Sequence, residues 1–341
     1  MAAGYGYSRG VTLVPMTQTM RDFMLRGIRQ QGEGVFPRLK EEDVAEVVSI
    51  PQFANTENLA VVNGDLNGRD VIIGYSYEPP IIPSIWDLEL TMQAVNLAGA
   101  DRITVLACYA PLSRGDKKDQ HHGSISFKAF ADKLNFYRAG LLTFDLHSPV
   151  TLGFFDYPSR MLSLRNVMMG KIRELGVDFD VLVSTDVGWA KTVWKWADGL
   201  LYPDRYLGEG IVNKRRKGND DCAEATRYFG DPVRYMRVLL PDDEVETFGS
   251  MFEAGGIMKR KGARSTWAVA YHGVLAGPAI DRLRESSIEK LIVTNTVPIP
   301  DWKIEQAAGK MDVVDISGFA MEAVRKWYAG ESLKSVIEYA Y

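Results

Sequence analysis

A chain of 341 residues, 46% hydrophobic and 25% charged, is long enough for two domains with separate cores and has the composition of a soluble globular protein. Its formal net charge of −4, with both signs interspersed, argues against a nucleic-acid-binding surface. No apolar run approaches the roughly 20 residues that span a bilayer, and neither a signal pattern nor a cysteine framework stands out, Cys108 and Cys222 being the only cysteines, so a cytoplasmic protein without membrane or nucleic-acid partners is expected.

Residues 1–45 stand apart as an N-terminal extension, in which Met20, Phe23, Met24 and Ile28 recur at helical spacing. Beyond them, apolar runs alternate with helical patterns, the signature of parallel sheets covered by helices. Residues 71–73, 103–108, 141–143 and 181–183 read as buried strands, with helices over 86–98 and 125–137 between the first three. Residues 238–240, 267–270 and 291–293 repeat the scheme. The expected fold class is α/β, with two domains that each carry a mostly parallel sheet flanked by helices. The domains are 46–160 and 161–341, joined near 157–166, with the final helix able to pack back on the first domain.

The most informative stretch begins as an apolar run at Val238, reaches the acid pair Asp242 and Asp243, and ends in Thr247, Phe248, Gly249 and Ser250 at a helix start. Carboxylates there can grip ribose hydroxyls or a metal, while hydroxyls and backbone amides at the helix N-terminus grip a phosphate. Read alone, the stretch is either a phosphoribosyl-binding loop or a solvated turn. Asp186 ends the strand at 181–183 and so lies at the crevice where α/β sheets bind ligands. His147 follows another apolar strand and Asp145, where an imidazole can reach a metal or a phosphate oxygen. Residues 213–221, with Lys214, Arg215, Arg216 and Lys217 in succession, read by themselves as a solvated basic loop.

Eight segments in one order, within a stretch from near Glu46 to the C-terminus, resemble the ribose-phosphate pyrophosphokinase family. The family's loop Asp-Asp-x-x-Asp-Thr-Gly-Gly-Thr stands here as residues 242–250 without a gap. Residues 109–119, 143–147, 153–156, 184–191, 213–216, 272–279 and 293–298 are similar to the family's remaining segments. The resemblance implies two phosphoribosyltransferase-type domains and a magnesium-dependent diphosphokinase. Such an enzyme moves the β,γ-diphosphoryl group of ATP onto the anomeric hydroxyl of a ribose 5-phosphate moiety and releases AMP. By resemblance, Asp242 and Asp243 hold the ribose hydroxyls, and Thr247, Gly249 and Ser250 the 5′-phosphate. Asp186 and His147 hold Mg2+, Asp186 also facing the ribose and His147 the ATP phosphates. Lys214 and Arg216 are the catalytic cations of a loop that closes over the transferring group. Phe53, Asn55 and Glu57 match the adenine-binding segment, with Asn55 in place of Asp, while Arg114 and Asp116 complete the nucleotide site with Gly115 in place of Gln. In the family the adenine segment serves a neighbouring subunit, which implies a homodimer or a higher homo-oligomer.

Two departures fall on the acceptor side. Phe248 replaces the first glycine of one family pair and Trp189 the second glycine of another, where glycine permits close backbone approach and positive φ. The two rings either reflect local drift or form a platform for a flat-ended acceptor such as ADP-ribose, which would give ADP-ribose diphosphate. A catalytically silent regulatory homologue and a phosphoribosyltransferase using the same loop in reverse remain as alternatives.

Overall fold

The structure, a computed structural model, describes residues 10–32, 37–118, 121–199, 207–213 and 227–334. In chain order the elements are β1 (Val11–Pro15), α1 (Gln18–Arg29), β2 (Asp70–Tyr75), α2 (Ile81–Leu97), β3 (Arg102–Ala107), α3 (Ser126–Phe136), β4 (Gly140–Phe144) and β5 (Arg160–Leu162). There follow α4 (Arg165–Glu174), β6 (Val181–Ser184), α5 (Ala190–Gly199), β7 (Gly208–Asn213), β8 (Arg227–Gly230), β9 (Arg237–Val245) and α6 (Gly249–Arg260). The chain closes with β10 (Ser265–Gly273), α7 (Ala279–Glu285), β11 (Lys290–Thr294), α8 (Asp301–Gln306), β12 (Met311–Val314) and α9 (Ser317–Tyr328). Two compact units result, one holding the described residues up to Ser163 and from Ile316 onward, the other 164–315.

In the first unit the strands lie in the order β1-β2-β3-β4-β5, all parallel. Side chains alternate across a strand, so each face of the sheet takes its own helices. Val71, Ile73, Val105 and Leu141 join Leu88, Met92, Phe127 and Phe130 of α2 and α3 in one core. The opposite face takes α1 and α9. A side chain at Gly74 would collide with Met20 and Met24 of α1, so glycine there lets the helix settle on the sheet. Where α1 crosses α9, a Cβ at Gly27 would strike the Ser317 carbonyl. From α9, Trp327 Nε1 donates to Thr104 Oγ1 at 3.1 Å, and Phe319 meets Phe144 of β4 at 5.9 Å between ring centroids.

The helical spacing of Met20, Phe23, Met24 and Ile28 corresponds to a helix packed on the core, and the residues before it add a strand to the same sheet. Val11–Pro15 is an edge strand in register with β2, and α1, capped by the Thr17 side chain accepting from Met20 N, covers one face of the same sheet. Five buried residues without alternation are too short to declare a strand by periodicity alone.

The second unit has the order β12-β11-β10-β9-β6-β7-β8, parallel except for the β7–β8 hairpin at its edge. From β9 the chain winds outward through β10, β11 and β12; from β6 it winds the other way through β7. The order therefore reverses between β6 and β9, and a crevice opens beyond the C-terminal ends of such a strand pair. Leu240, Ala268, Ala270 and Val293 pack with Met251, Ala254, Met258 and Leu283 of α6 and α7. On the other face Trp267 meets Phe179, and Tyr271 stacks on Trp196, both at 5.8 Å.

Candidate active site

The strand pair at which the second sheet reverses carries the carboxylates. Thr185 and Asp186 follow β6, and Asp242 and Asp243 occupy the last turns of β9. Thr185 Oγ1 donates to Asp242 Oδ2 at 2.5 Å, so one hydroxyl bridges the two strand ends. Asp242 Oδ1 accepts from Asp243 N and Asp243 Oδ1 from Glu244 N, both at 2.9 Å, which fixes each carboxylate by the amide that follows it. Asp242 and Asp243 are only 9% and 8% exposed, whereas Asp186 is open to solvent and anchored through Oδ1 by Trp189 N at 2.8 Å.

Burial first, and the Asp243 charge second, push the Asp242 carboxyl well above the ordinary carboxylate range, against the pull of the Thr185 hydrogen bond. The buried group therefore favours its proton. Below the ordinary carboxylate range it is protonated whether folded or unfolded and imposes no penalty. As pH rises, ionisation in the buried site costs stability that the unfolded chain does not lose. Asp242→Asn keeps the shape without the charge, so its denaturation midpoint at neutral pH is expected to exceed that of the parent, by roughly 2–4 °C for each kcal/mol gained in a domain of this size. The advantage should fade on acidification. Calorimetry at several pH values reads it, and a variant less stable than the parent at neutral pH would contradict the buried acid pair.

After β9 the chain turns through Glu246 and Thr247, both exposed, into Phe248 and α6. Phe248 adopts the left-handed conformation, φ 60° and ψ 12°, which glycine would take without strain. The loop thus keeps a glycine-type path although the residue is bulky. Its first intrahelical bond runs from Phe252 N to Phe248 O, and the Phe248 side chain makes no cap bond, so the N-terminal end of α6 with the positive end of its dipole faces the loop.

The Phe248 ring overturns the two-ring platform. It is 2% exposed and packs in the α6-side core with Val245, Met251 and Leu275. A ring turned into the core offers no stacking face. Trp189 alone remains half exposed, tilted against Tyr271 at 6.3 Å, as the outer member of a column that continues to Trp196.

In the first unit two neighbouring strands, β3 and β4, end in the loops that carry Arg114 and Asp116 and the loop that carries His147. Arg114 and His147 are exposed and Asp116 is half-buried. Asp145, two residues before His147, has a φ of 31°, a strained turn that lifts the histidine off the strand end. Gly115 has a steric reason: a Cβ there would collide with Ser126 Oγ at the start of α3, while Gly115 O accepts from Phe127 N at 3.1 Å. No glutamine fits that backbone position.

Phe53, Asn55 and Glu57 lie apart on a tight hairpin. Phe53 N donates to Glu57 O at 2.8 Å, Asn55 Oδ1 accepts from Glu57 N, and Asn58 Nδ2 ties the hairpin to Asp87 of α2. All three side chains are exposed, Phe53 at 55%. Lys214 and Arg216 lie outside the described residues, as does Cys222; β7 ends at Asn213, which pairs with Arg227 of β8.

Sequence reasoning missed Thr185, adjacent to Asp186 but without a motif of its own, and Glu246, a further carboxylate at the mouth of the loop. It also missed Arg282 of α7, whose Nη1 donates to Thr247 O at 3.0 Å. Nothing in local spacing ties residue 282 to a loop 35 positions earlier. Among the described residues no three His, Cys, Asp or Glu side chains form a ready-made metal cage. The exposed Asp186 carboxylate by itself would leave a hard cation to draw most of its oxygens from phosphates and water.

Comparison with known proteins agrees along most of the chain. Residues 38–137 match the N-terminal domain of ribose phosphate pyrophosphokinase, and 229–338 a phosphoribosyl synthetase-associated domain. The ribose-phosphate pyrophosphokinase of Aquifex aeolicus is 32% identical over 289 residues, covering 84% of this chain and 89% of its own. Ribose-phosphate pyrophosphokinase 2 of Schizosaccharomyces pombe is 31% identical over 297 residues, covering 86% and 90%. The crystal structure of phosphoribosylpyrophosphate synthetase from Mycobacterium smegmatis superposes with a TM-score of 0.81 at 25% identity, covering 94% of this chain and all of its own.

Proposed function

Because the chain belongs to the ribose-phosphate pyrophosphokinase family, we propose that it transfers the β,γ-diphosphoryl group of ATP to the anomeric hydroxyl of a ribose 5-phosphate moiety. The hydroxyl oxygen attacks the β-phosphorus and the bond from that phosphorus to the α,β-bridging oxygen breaks. AMP leaves with the bridging oxygen, and the hydroxyl proton passes to solvent.

The observation that carries this reading is the loop from Asp242 to Ser250: two buried, amide-held carboxylates, then a left-handed residue that leads into the N-terminus of α6. Asp242 and Asp243 orient the ribose hydroxyls, and Gly249 and Ser250 with Thr247 receive the 5′-phosphate. By the family resemblance Asp186 and His147 are the residues that would contribute to magnesium binding, with most of the oxygens coming from phosphate and water, and the ion would neutralise the polyphosphate. Lys214 and Arg216 stabilise charge on the transferring group. The exposed Phe53 ring on its hairpin supports adenine recognition in a neighbouring copy, and hence a homo-oligomer.

Ribose 5-phosphate is the acceptor that the loop favours, since withdrawal of the Phe248 ring leaves a phosphate unobstructed. The half-exposed Trp189 favours a second reading, an extended acceptor such as ADP-ribose. Incubation with Mg-ATP and each acceptor, with products identified by mass, tests both. A sugar 1-diphosphate with stoichiometric AMP is expected; ATP left intact would point to the silent homologue.

A further inference from the structure

Thr185 ties together two strands that have stopped pairing. The ladder between β6 and β9 consists of Val181 with Val238 and Leu182 with Leu239. Beyond it β6 stays with β7 as far as Ser184 and Ile211, and β9 with β10 as far as Val245 and Gly273, so the two strands part where the crevice opens. Across that gap the Thr185 hydroxyl donates to Asp242 Oδ2 at 2.5 Å, with no part of Thr185 exposed. Ser184 Oγ donates to Asp186 O at 2.6 Å, which closes the turn in which Thr185 sits.

The tie decides how Asp242 meets a ligand. An ionised carboxylate accepts through about four lone-pair positions, shared between its two oxygens. Asp243 N occupies one on Oδ1 and the Thr185 hydroxyl one on Oδ2. Held at both oxygens, the group cannot turn about its Cβ–Cγ bond, and an acceptor position remains on each oxygen, side by side. The Thr185 bond also draws the carboxyl toward its ionised form, against burial. Two adjacent oxygens match two adjacent donors, which a vicinal pair of sugar hydroxyls supplies. A sugar with one hydroxyl there leaves a buried acceptor unpaired, at a cost.

We propose that Thr185 is a positioning residue of the acceptor site: by holding Asp242 across the strand reversal it presents both carboxyl oxygens to adjacent sugar hydroxyls, and so makes the site select an acceptor with a vicinal diol. The inference rests on the diphosphoryl-transfer reading above, in which Asp242 and Asp243 orient the ribose hydroxyls, and names the residue that makes that site choose its sugar.

The test compares ribose 5-phosphate with 2-deoxyribose 5-phosphate, which lacks one hydroxyl of the diol, on the parent, Thr185→Val and Thr185→Ser. Affinities are read by calorimetry with magnesium and without ATP, the weaker ligand by its displacement of the stronger. The parent is expected to prefer ribose 5-phosphate by at least about tenfold, because a site built to hydrogen-bond a hydroxyl rejects the analogue without it. In Thr185→Val the affinity for ribose 5-phosphate should fall about tenfold, as loss of one partner of a buried group implies, while that for the deoxy sugar changes little. The preference therefore collapses, and Thr185→Ser, which keeps the hydroxyl, restores it. A residue that merely braced the strands would weaken both sugars alike, so equal losses overturn the proposal, as do an unchanged preference in Thr185→Val, no rescue by serine, or a parent indifferent to the missing hydroxyl. Thr185→Ala also lacks the hydroxyl and adds no bulk, and supplies the same comparison if the valine variant does not fold. A parent that binds the sugars with this preference but transfers no diphosphate would overturn the reaction assigned above and leave the role of Thr185 standing; a parent that binds neither sugar would overturn both.

Discussion

Replacing Lys214 with alanine is expected to lower turnover at least about 100-fold, because a cation clamped on a transferring phosphoryl group is typically worth ~10³ or more in rate. Diphosphoryl transfer leaves a protein little covalent work, so catalysis falls to positioning and charge stabilisation. In the proposed mechanism the acid pair and the phosphate loop supply positioning, while Lys214 and Arg216 would supply charge where it develops. Steady-state kinetics with separate measurement of ATP affinity checks this. The loss should lie in kcat with ATP binding little changed; turnover equal to that of the parent would remove Lys214 from the mechanism.

Truncation of Phe248 to alanine is expected to destabilise the protein by about 3–5 kcal/mol, the usual result of emptying a large aromatic site in a core. A non-glycine residue held in the left-handed region costs roughly 1–2 kcal/mol, and a ring 2% exposed in the core outweighs that strain. Here, then, packing holds a bulky residue in a backbone conformation that glycine would take without strain. Phe248→Gly removes the strain but also the ring, and should recover only a part of the loss. Denaturant unfolding measures both. A loss below about 1 kcal/mol with a changed acceptor preference would mean that the ring faces the ligand.

Much of the architecture was legible because its physics is local. Buried parallel strands such as β2, β3 and β9 are continuous apolar runs, and α3 repeats its core residues at helical spacing. The acid pair and the hydroxylated turn could be read for the same reason, being contiguous in the chain. What escaped depends on contacts distant in sequence. The first strand becomes part of a sheet only through its register with β2, and α1 is fixed by a crossing with α9 nearly 300 residues later. The direction of the Phe248 ring could not be read from residue type, since an aromatic in a glycine position is equally compatible with an exposed platform and a buried anchor. Burial decides it. Gly115 shows the same limit: its lack of a side chain reads as a lost contact until Ser126 is seen to fill the space.

ATP carrying an isotopic label on its β-phosphorus tests the central assignment most directly, when incubated with magnesium and ribose 5-phosphate and resolved by mass. Transfer of the intact diphosphoryl group places the label in a sugar product heavier by two phosphoryl groups and leaves AMP unlabelled. Label retained in ADP, with a sugar heavier by one phosphoryl group, would mean ordinary γ-phosphoryl transfer and would contradict the account.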